Sequence, residues 1–104
     1  MSVKTLYSKN FEEFVSQNSM AVVDFYADWC MPCRIMAPRM EELSGEMDNV
    51  AFAKLNVDDN SDIAQRFGVT SIPTIIIFKE GKRVDEIVGT QRKEKVKETI
   101  EKYK

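Results

Sequence analysis

Histidine is missing from the 104-residue chain. Its absence removes the imidazole of Ser-His-Asp and Cys-His catalysis and the commonest metal ligand together. Cysteine is scarce, at two residues, but a chain of this size can bury roughly 60 to 70% of its unfolded surface in one core without disulfide or metal staples. No apolar run approaches the ~20 residues that span a bilayer, and the start, Met1-Ser2-Val3-Lys4, lacks the apolar stretch and cleavage site of a secretory signal. A cytoplasmic chain with no membrane contact is expected. Neither sign of charge dominates, since 15 Lys and Arg stand against 17 Asp and Glu for a net charge of -2. The concentrated basic surface that nucleic-acid phosphates require is therefore lacking. Repeats, low-complexity tracts and Pro/Gly/Ser-rich linkers are absent as well, so residues 1–104 read as one domain.

Strand and helix patterns alternate along the chain. Residues 5–7 suit a short strand, after which Ser8 or Asn10 can cap a helix with Phe11, Phe14 and Val15 on one face and Glu12 and Glu13 toward its positive end. Residues 21–26 form a nearly continuous apolar run of strand formers, the pattern of a central strand covered on both faces. Between 32 and 47, Met36, Met40, Leu43 and Met47 recur at helical spacing, with Pro32 in the first turn and Pro38 placed to kink the helix. Residues 50–57 read as a strand, and 61–67 as a short helix with Ile63 and Phe67 inward and Gly68 ending it. Strand-like runs at 74–79 and 83–88 join around Glu80-Gly81 as a hairpin. A final helix places Val96, Ile100 and Tyr103 on one face. This order predicts a three-layer α/β sandwich, with parallel early strands and at least one antiparallel pair from the hairpin.

The segment Trp29-Cys30-Met31-Pro32-Cys33 lies between the central strand and the kinked helix. There, unpaired N–H groups and the helix dipole stabilise an anion, so Cys30 is expected to be the attacking thiolate. A thiol at its ordinary pKa is a few per cent ionised at neutral pH, and lowering it to about 7 makes it half ionised, a shift worth roughly 2 kcal/mol. Cys33, one turn later, is in reach to attack the mixed disulfide that Cys30 would form, which makes release of the reduced substrate intramolecular. Two blander readings compete. A structural disulfide over so short a loop would remove little unfolded-chain entropy, and a tetrahedral metal site would need ligands that two sulfurs and no imidazole do not supply.

Asp24-Phe25-Tyr26-Ala27-Asp28-Trp29-Cys30-Met31-Pro32-Cys33, followed by Ala37-Pro38, Lys54-Leu55-Asn56-Val57-Asp58, Ile72-Pro73-Thr74, Lys79-Glu80-Gly81 and Val88-Gly89, resembles the thioredoxin family across almost the whole chain. The resemblance implies a thioredoxin fold, a three-layer α/β/α sandwich with a five-stranded mixed sheet and four helices. The hairpin would lie at one edge and the first strand at the other. It implies a general protein-disulfide reductase with no bound cofactor, no metal, disulfide-containing proteins as substrates, and a reductase of the thioredoxin-reductase type as electron donor. A monomer is the default. It also implies that Asp24, which alone could be a solvated edge carboxylate, is buried behind the cysteines beside Lys54 and aids proton transfer at Cys33. Burial would raise its pKa and a charged Lys54 would oppose the rise.

By the same resemblance Pro73 is cis and faces the cysteines, where the sequence alone permits an ordinary strand-entry turn. Ile72 would then pair its backbone with an extended substrate segment. Trp29, otherwise a core candidate, would join Met31, Pro32 and the loop at Gly89 on the docking surface. Gly68, Gly81 and Gly89 are first of all backbone devices. Met31 departs from the glycine usual in the family, which bears on the redox set point and on the surface beside Cys30. The pair Asp58-Asp59 suggests no chemistry. Competing functions are a glutaredoxin-like, glutathione-coupled enzyme, which would turn over glutathione mixed disulfides rapidly, and a protein-docking module whose work would survive loss of both cysteines.

Overall fold

The computed structural model describes residues 3–104. In chain order its elements are β1 (Lys4–Leu6), α1 (Ser8–Gln17), β2 (Met20–Tyr26), α2 (Met31–Glu46), β3 (Ala51–Asn56), α3 (Ser61–Arg66), β4 (Thr74–Lys79), β5 (Lys82–Val88) and α4 (Lys93–Glu101). The five strands form one sheet in the order β1-β3-β2-β4-β5. β3 runs parallel to β1 and β2, whereas β4 is antiparallel to both β2 and β5. The expected mixed sheet is present, with the hairpin at one edge and the first strand at the other.

The alternation of side chains along a strand explains the three layers. On β2, Met20 and Val22 join a core with Met36, Met40 and Leu43 of α2 and Val96 and Ile100 of α4. Ala21, Val23 and Phe25 point the other way, into a core with Phe11, Phe14 and Val15 of α1 and Ile63 of α3. A strand buried on both faces has no room for polar alternation, which is why 21–26 reads as an almost unbroken apolar run. The exception is Asp24. It continues the row of Met20 and Val22 and so faces the side of the sheet that α2 covers.

Phe11, Phe67 and Phe78 meet with ring centroids 5.3 to 5.7 Å apart, locking α1 and the end of α3 onto β4. The hairpin turns through Glu80 and Gly81, both at positive φ, 52° and 81°. Such a two-residue turn matches the twist of the strands it joins.

The first two elements differ in detail from the sequence expectation. β1 ends at Leu6, and Tyr7 rather than Ser8 or Asn10 is the N-cap of α1. The Tyr7 N–H donates to Asn10 Oδ1 at 2.7 Å, and the Asn10 N–H donates back to the Tyr7 carbonyl at 3.1 Å. Ser8 is drawn elsewhere: its N–H donates to Asn60 Oδ1 at 2.9 Å and its hydroxyl to Asp62 at 2.5 Å. Glu12 and Glu13 lie beyond the first turn of α1, which holds no acidic residue, so they do not meet its positive end.

Candidate active site around Cys30 and Cys33

β2 delivers the chain to the loop Ala27-Asp28-Trp29, and Cys30 is the N-cap of α2, with Pro32 in the first turn. Proline suits that position because its missing N–H would have had no helical partner. Cys30 and Cys33 are joined in a disulfide with their Cα atoms 5.3 Å apart. The Cys33 N–H donates to Cys30 Sγ at 3.2 Å. This donor belongs to the unpaired first turn of the helix, so negative charge arising on Cys30 Sγ meets an oriented N–H and the positive end of α2. Both cysteines are buried, 4% and 3% exposed, with Ala27, Tyr26, Val57 and Ile72 around them.

Behind the disulfide, Cys33, Asp24, Lys54 and Tyr26 border a cavity of about 310 Å³ that also reaches the exposed Asp28 and Arg34. Asp24 is 4% exposed, and among the described residues its Oδ1 has no hydrogen-bond partner. Burial pushes its carboxyl up to about 7, while the positive charge of Lys54 pulls in the opposite direction. An ionised carboxylate in an apolar, unpaired setting is penalised, so the proton is retained far above the ordinary range. Lys54 is held opposite by the β2–β3 register, and its Nζ lies 5.6 Å from the centre of the Tyr26 ring.

The rim is apolar and built from three separate stretches of chain. Trp29 is 69% exposed and Met31 63%, so Trp29 is no part of the core. The Ile72–Pro73 peptide is cis, as the resemblance implied. Pro73 itself is buried, and Ile72 packs half-buried against the cysteines. The Gly89 N–H donates to the Pro73 carbonyl at 2.8 Å, tying the loop after β5 to the turn before β4. Gly89 has φ of +90°, a conformation that side-chain-bearing residues rarely adopt.

Asp24, Lys54 and Cys33 thus border one cavity, Ile72 packs against the two cysteines, Trp29, Met31 and Pro32 adjoin Cys30 in the chain, and Gly89 is tied to Pro73, but three polar supports escaped the sequence. The Trp29 indole N–H donates to Asp58 Oδ2 at 2.8 Å, and Asn56 Oδ1 fixes the loop that carries Asp58 by accepting the Asp58 N–H at 2.8 Å. Arg34 donates from Nη2 and Nε to the Asp28 carbonyl at 2.9 and 3.2 Å, pinning the loop before Trp29. Arg39 donates to the Gln91 carbonyl at 2.7 Å, fastening the Gly89 loop to α2. A usable signal for Asp58 did exist. β2 and β3 are parallel neighbours, so the residues just past their C-terminal ends, 27–29 and 57–59, must lie side by side.

The thioredoxin family pattern matches residues 2–102. The chain is 45% identical to the thioredoxin of Staphylococcus saprophyticus over 104 residues, 99% of each chain. Among solved structures, a mutant thioredoxin from Halobacterium salinarum NRC-1 superposes with a TM-score of 0.92 at 36% identity, over 98% of this chain and 90% of that one. A chain in a structure addressing the thiol resolving mechanism of yeast mitochondrial 1-Cys peroxiredoxin via glutathione/thioredoxin systems gives a TM-score of 0.90 at 32% identity, covering 97% of this chain and 95% of that one. Identity of this order along the full length, with the paired cysteines at the head of α2, fixes both kinship and chemistry: the chain belongs to the thioredoxin family and is a protein-disulfide oxidoreductase acting by dithiol–disulfide exchange.

Proposed function

We propose that Cys30 attacks and Cys33 resolves in a general protein-disulfide reductase formed by one domain, residues 1–104. The observation that carries this assignment is the Cys33 N–H aimed at Cys30 Sγ, 3.2 Å away at the N-terminus of α2. It favours the thiolate at Cys30, and only the thiolate attacks a disulfide. Cys30 Sγ bonds to one sulfur of the substrate and the other leaves as a thiolate, which is then protonated. Cys33 Sγ next attacks Cys30 Sγ, expels the second substrate sulfur and leaves the Cys30–Cys33 disulfide.

The resolving attack requires Cys33 to lose a proton. Asp24, bordering the same cavity as Cys33 with a pKa of about 7, is matched to accept it near neutral pH. Lys54 is a positioning residue in this scheme, keeping the Asp24 pKa from rising further. Trp29, Met31 and Pro32 form the docking surface beside Cys30. Ile72, ahead of Pro73, offers its backbone to an extended substrate segment in the manner of an added strand, with the Gly89 loop as the opposite wall. Main-chain pairing reads little sequence, which suits a broad range of protein disulfides.

The protein works as a monomer in the cytoplasm and is recharged by a reductase of the thioredoxin-reductase type. Among the described residues no helix is long and apolar enough to cross a membrane. Trp29, the sole tryptophan, stands beside the cysteines and reports their state. A titration of its fluorescence across graded thiol/disulfide buffers is expected to give one two-electron transition near or below about -250 mV. A midpoint at about -200 mV or above would replace this reading with glutathione-coupled or oxidising work.

A further inference from the structure

We propose that Met31 is a peroxide-sensitive modification site, whose conversion to the sulfoxide weakens the docking of protein disulfides without disabling the cysteines. The inference rests on the docking surface assigned above. Met20, Met36, Met40 and Met47 are between 0 and 4% exposed, whereas Met31 is 63% exposed. The Met36 sulfur is also engaged, accepting the Gln91 N–H at 3.4 Å. Among the described residues, Met31 is therefore the one methionine exposed to solvent, and it sits between Cys30 and Pro32.

Its surroundings give the modification a consequence. Ile35 follows Met31 by four residues on α2, so the two side chains share a face of the helix. Ile35 is 47% exposed, and Trp29 stands two residues before Met31. The three make an uncovered apolar ridge next to Cys30. A sulfoxide replaces the flexible apolar tip of Met31 with a polar, chiral one. A partner that covers the ridge must then desolvate the S–O group, a penalty when no donor meets it.

The redox state decides which sulfur reacts. In the disulfide form there is no free cysteine, both cysteine sulfurs are already bonded, and both residues are buried. The Met31 thioether then attacks the outer oxygen of a hydroperoxide. The O–O bond breaks, an S–O bond forms, sulfur loses two electrons, and the remaining oxygen leaves as water or an alcohol after taking a proton. In the reduced protein the Cys30 thiolate competes for the same oxidant. Accumulated disulfide form, the mark of exhausted reductant, is thus the state in which Met31 is modified. A methionine sulfoxide reductase can reverse the change.

The test treats the disulfide form with hydrogen peroxide and follows each methionine by peptide mass spectrometry. Met31 is expected to oxidise about tenfold or more faster than Met20, Met36, Met40 and Met47. The modified protein is then assayed with dithiothreitol as electron source. Its KM for insulin disulfides is expected to rise about tenfold, while turnover of a small aromatic disulfide stays unchanged. Methionine sulfoxide reductase should restore the KM, and the KM of Met31→Leu should not respond to peroxide. Equal oxidation of all five methionines overturns the proposal, as does Met31 sulfoxide with an unaltered KM or a Met31→Leu protein that loses affinity alike. If untreated protein reduces insulin no faster than Cys30→Ser, the docking reading itself falls, and this inference falls with it.

Discussion

Asp24 stands opposite Lys54 in the β2–β3 register, yet the two side chains form no ion pair, and among the described residues Asp24 Oδ1 has no hydrogen-bond partner. The lysine charge is felt, since it pulls the Asp24 pKa down, but burial is the stronger influence and pushes it up to about 7. Had the pair closed, Asp24 would be ionised throughout the physiological range and unable to accept a proton from Cys33. The separation keeps the carboxyl near the midpoint of its titration at neutral pH, where a general base is most effective.

The same arrangement makes stability depend on pH. Asp24 titrates from 3.8 in the unfolded chain and about 7 in the folded one. Below about pH 4 it is protonated in both states and imposes no penalty. As pH rises from about 4 to 7 the unfolded chain releases the proton first, so its contribution to stability is lost, by up to about 4 kcal/mol in all. Asp24→Asn, in the disulfide form, should therefore be more stable than the parent by about 2 to 4 kcal/mol at pH 8. The gap should close below about pH 4. Urea unfolding at both pH values checks this, and a gap that does not change with pH would contradict it.

Catalysis should move in the opposite direction. Asp24→Asn removes the proton acceptor without changing the side-chain size, so resolution of the mixed disulfide near neutral pH should slow by about 10²-fold. The deficit should shrink at alkaline pH, where Cys33 ionises unaided. Rapid-quench trapping measures the lifetime of the mixed disulfide, and equal lifetimes for the two proteins would remove Asp24 from the mechanism.

Asp58 holds the exposed Trp29 ring by one hydrogen bond of 2.8 Å. Such a bond is worth about 1 kcal/mol net, so Asp58→Ala should raise the KM for a protein disulfide about fivefold. The midpoint potential should not change, because no cysteine contact is lost. Asp58→Asn keeps an acceptor oxygen and should recover most of the affinity. Steady-state kinetics alongside Trp29 fluorescence anisotropy would show whether ring mobility and KM rise together. Increased mobility with constant KM would show that the bond does not serve docking.

What the sequence discloses follows the range of the forces involved. The apolar run through Val22, Val23 and Phe25, the helical spacing of Met36, Met40 and Leu43, and Cys30 placed ahead of a helix are local patterns. Each was legible because burial imposes a period on the chain. The buried Asp24 was legible only through the family resemblance, since a carboxylate in an apolar strand can equally sit at a solvated edge. The Trp29–Asp58 and Arg39–Gln91 bonds span 29 and 52 residues and leave no periodic trace. Competition hid the cap of α1: Asn60 and Asp62, more than 50 residues away, engage Ser8, so the local preference for a serine cap gave way to a tertiary contact.

The order of attack is tested most directly by trapping. Cys33→Ser, reduced and mixed with insulin or another disulfide-bonded protein, should accumulate a covalent complex through Cys30 that dithiothreitol releases. Cys30→Ser under the same conditions should form almost none. Peptide mapping that places the substrate sulfur on Cys30 would establish it as the nucleophile and Cys33 as the resolving thiol. Complexes formed equally by both variants, or through Cys33 in the Cys30→Ser protein, would contradict the roles assigned to the two ends of this helical turn.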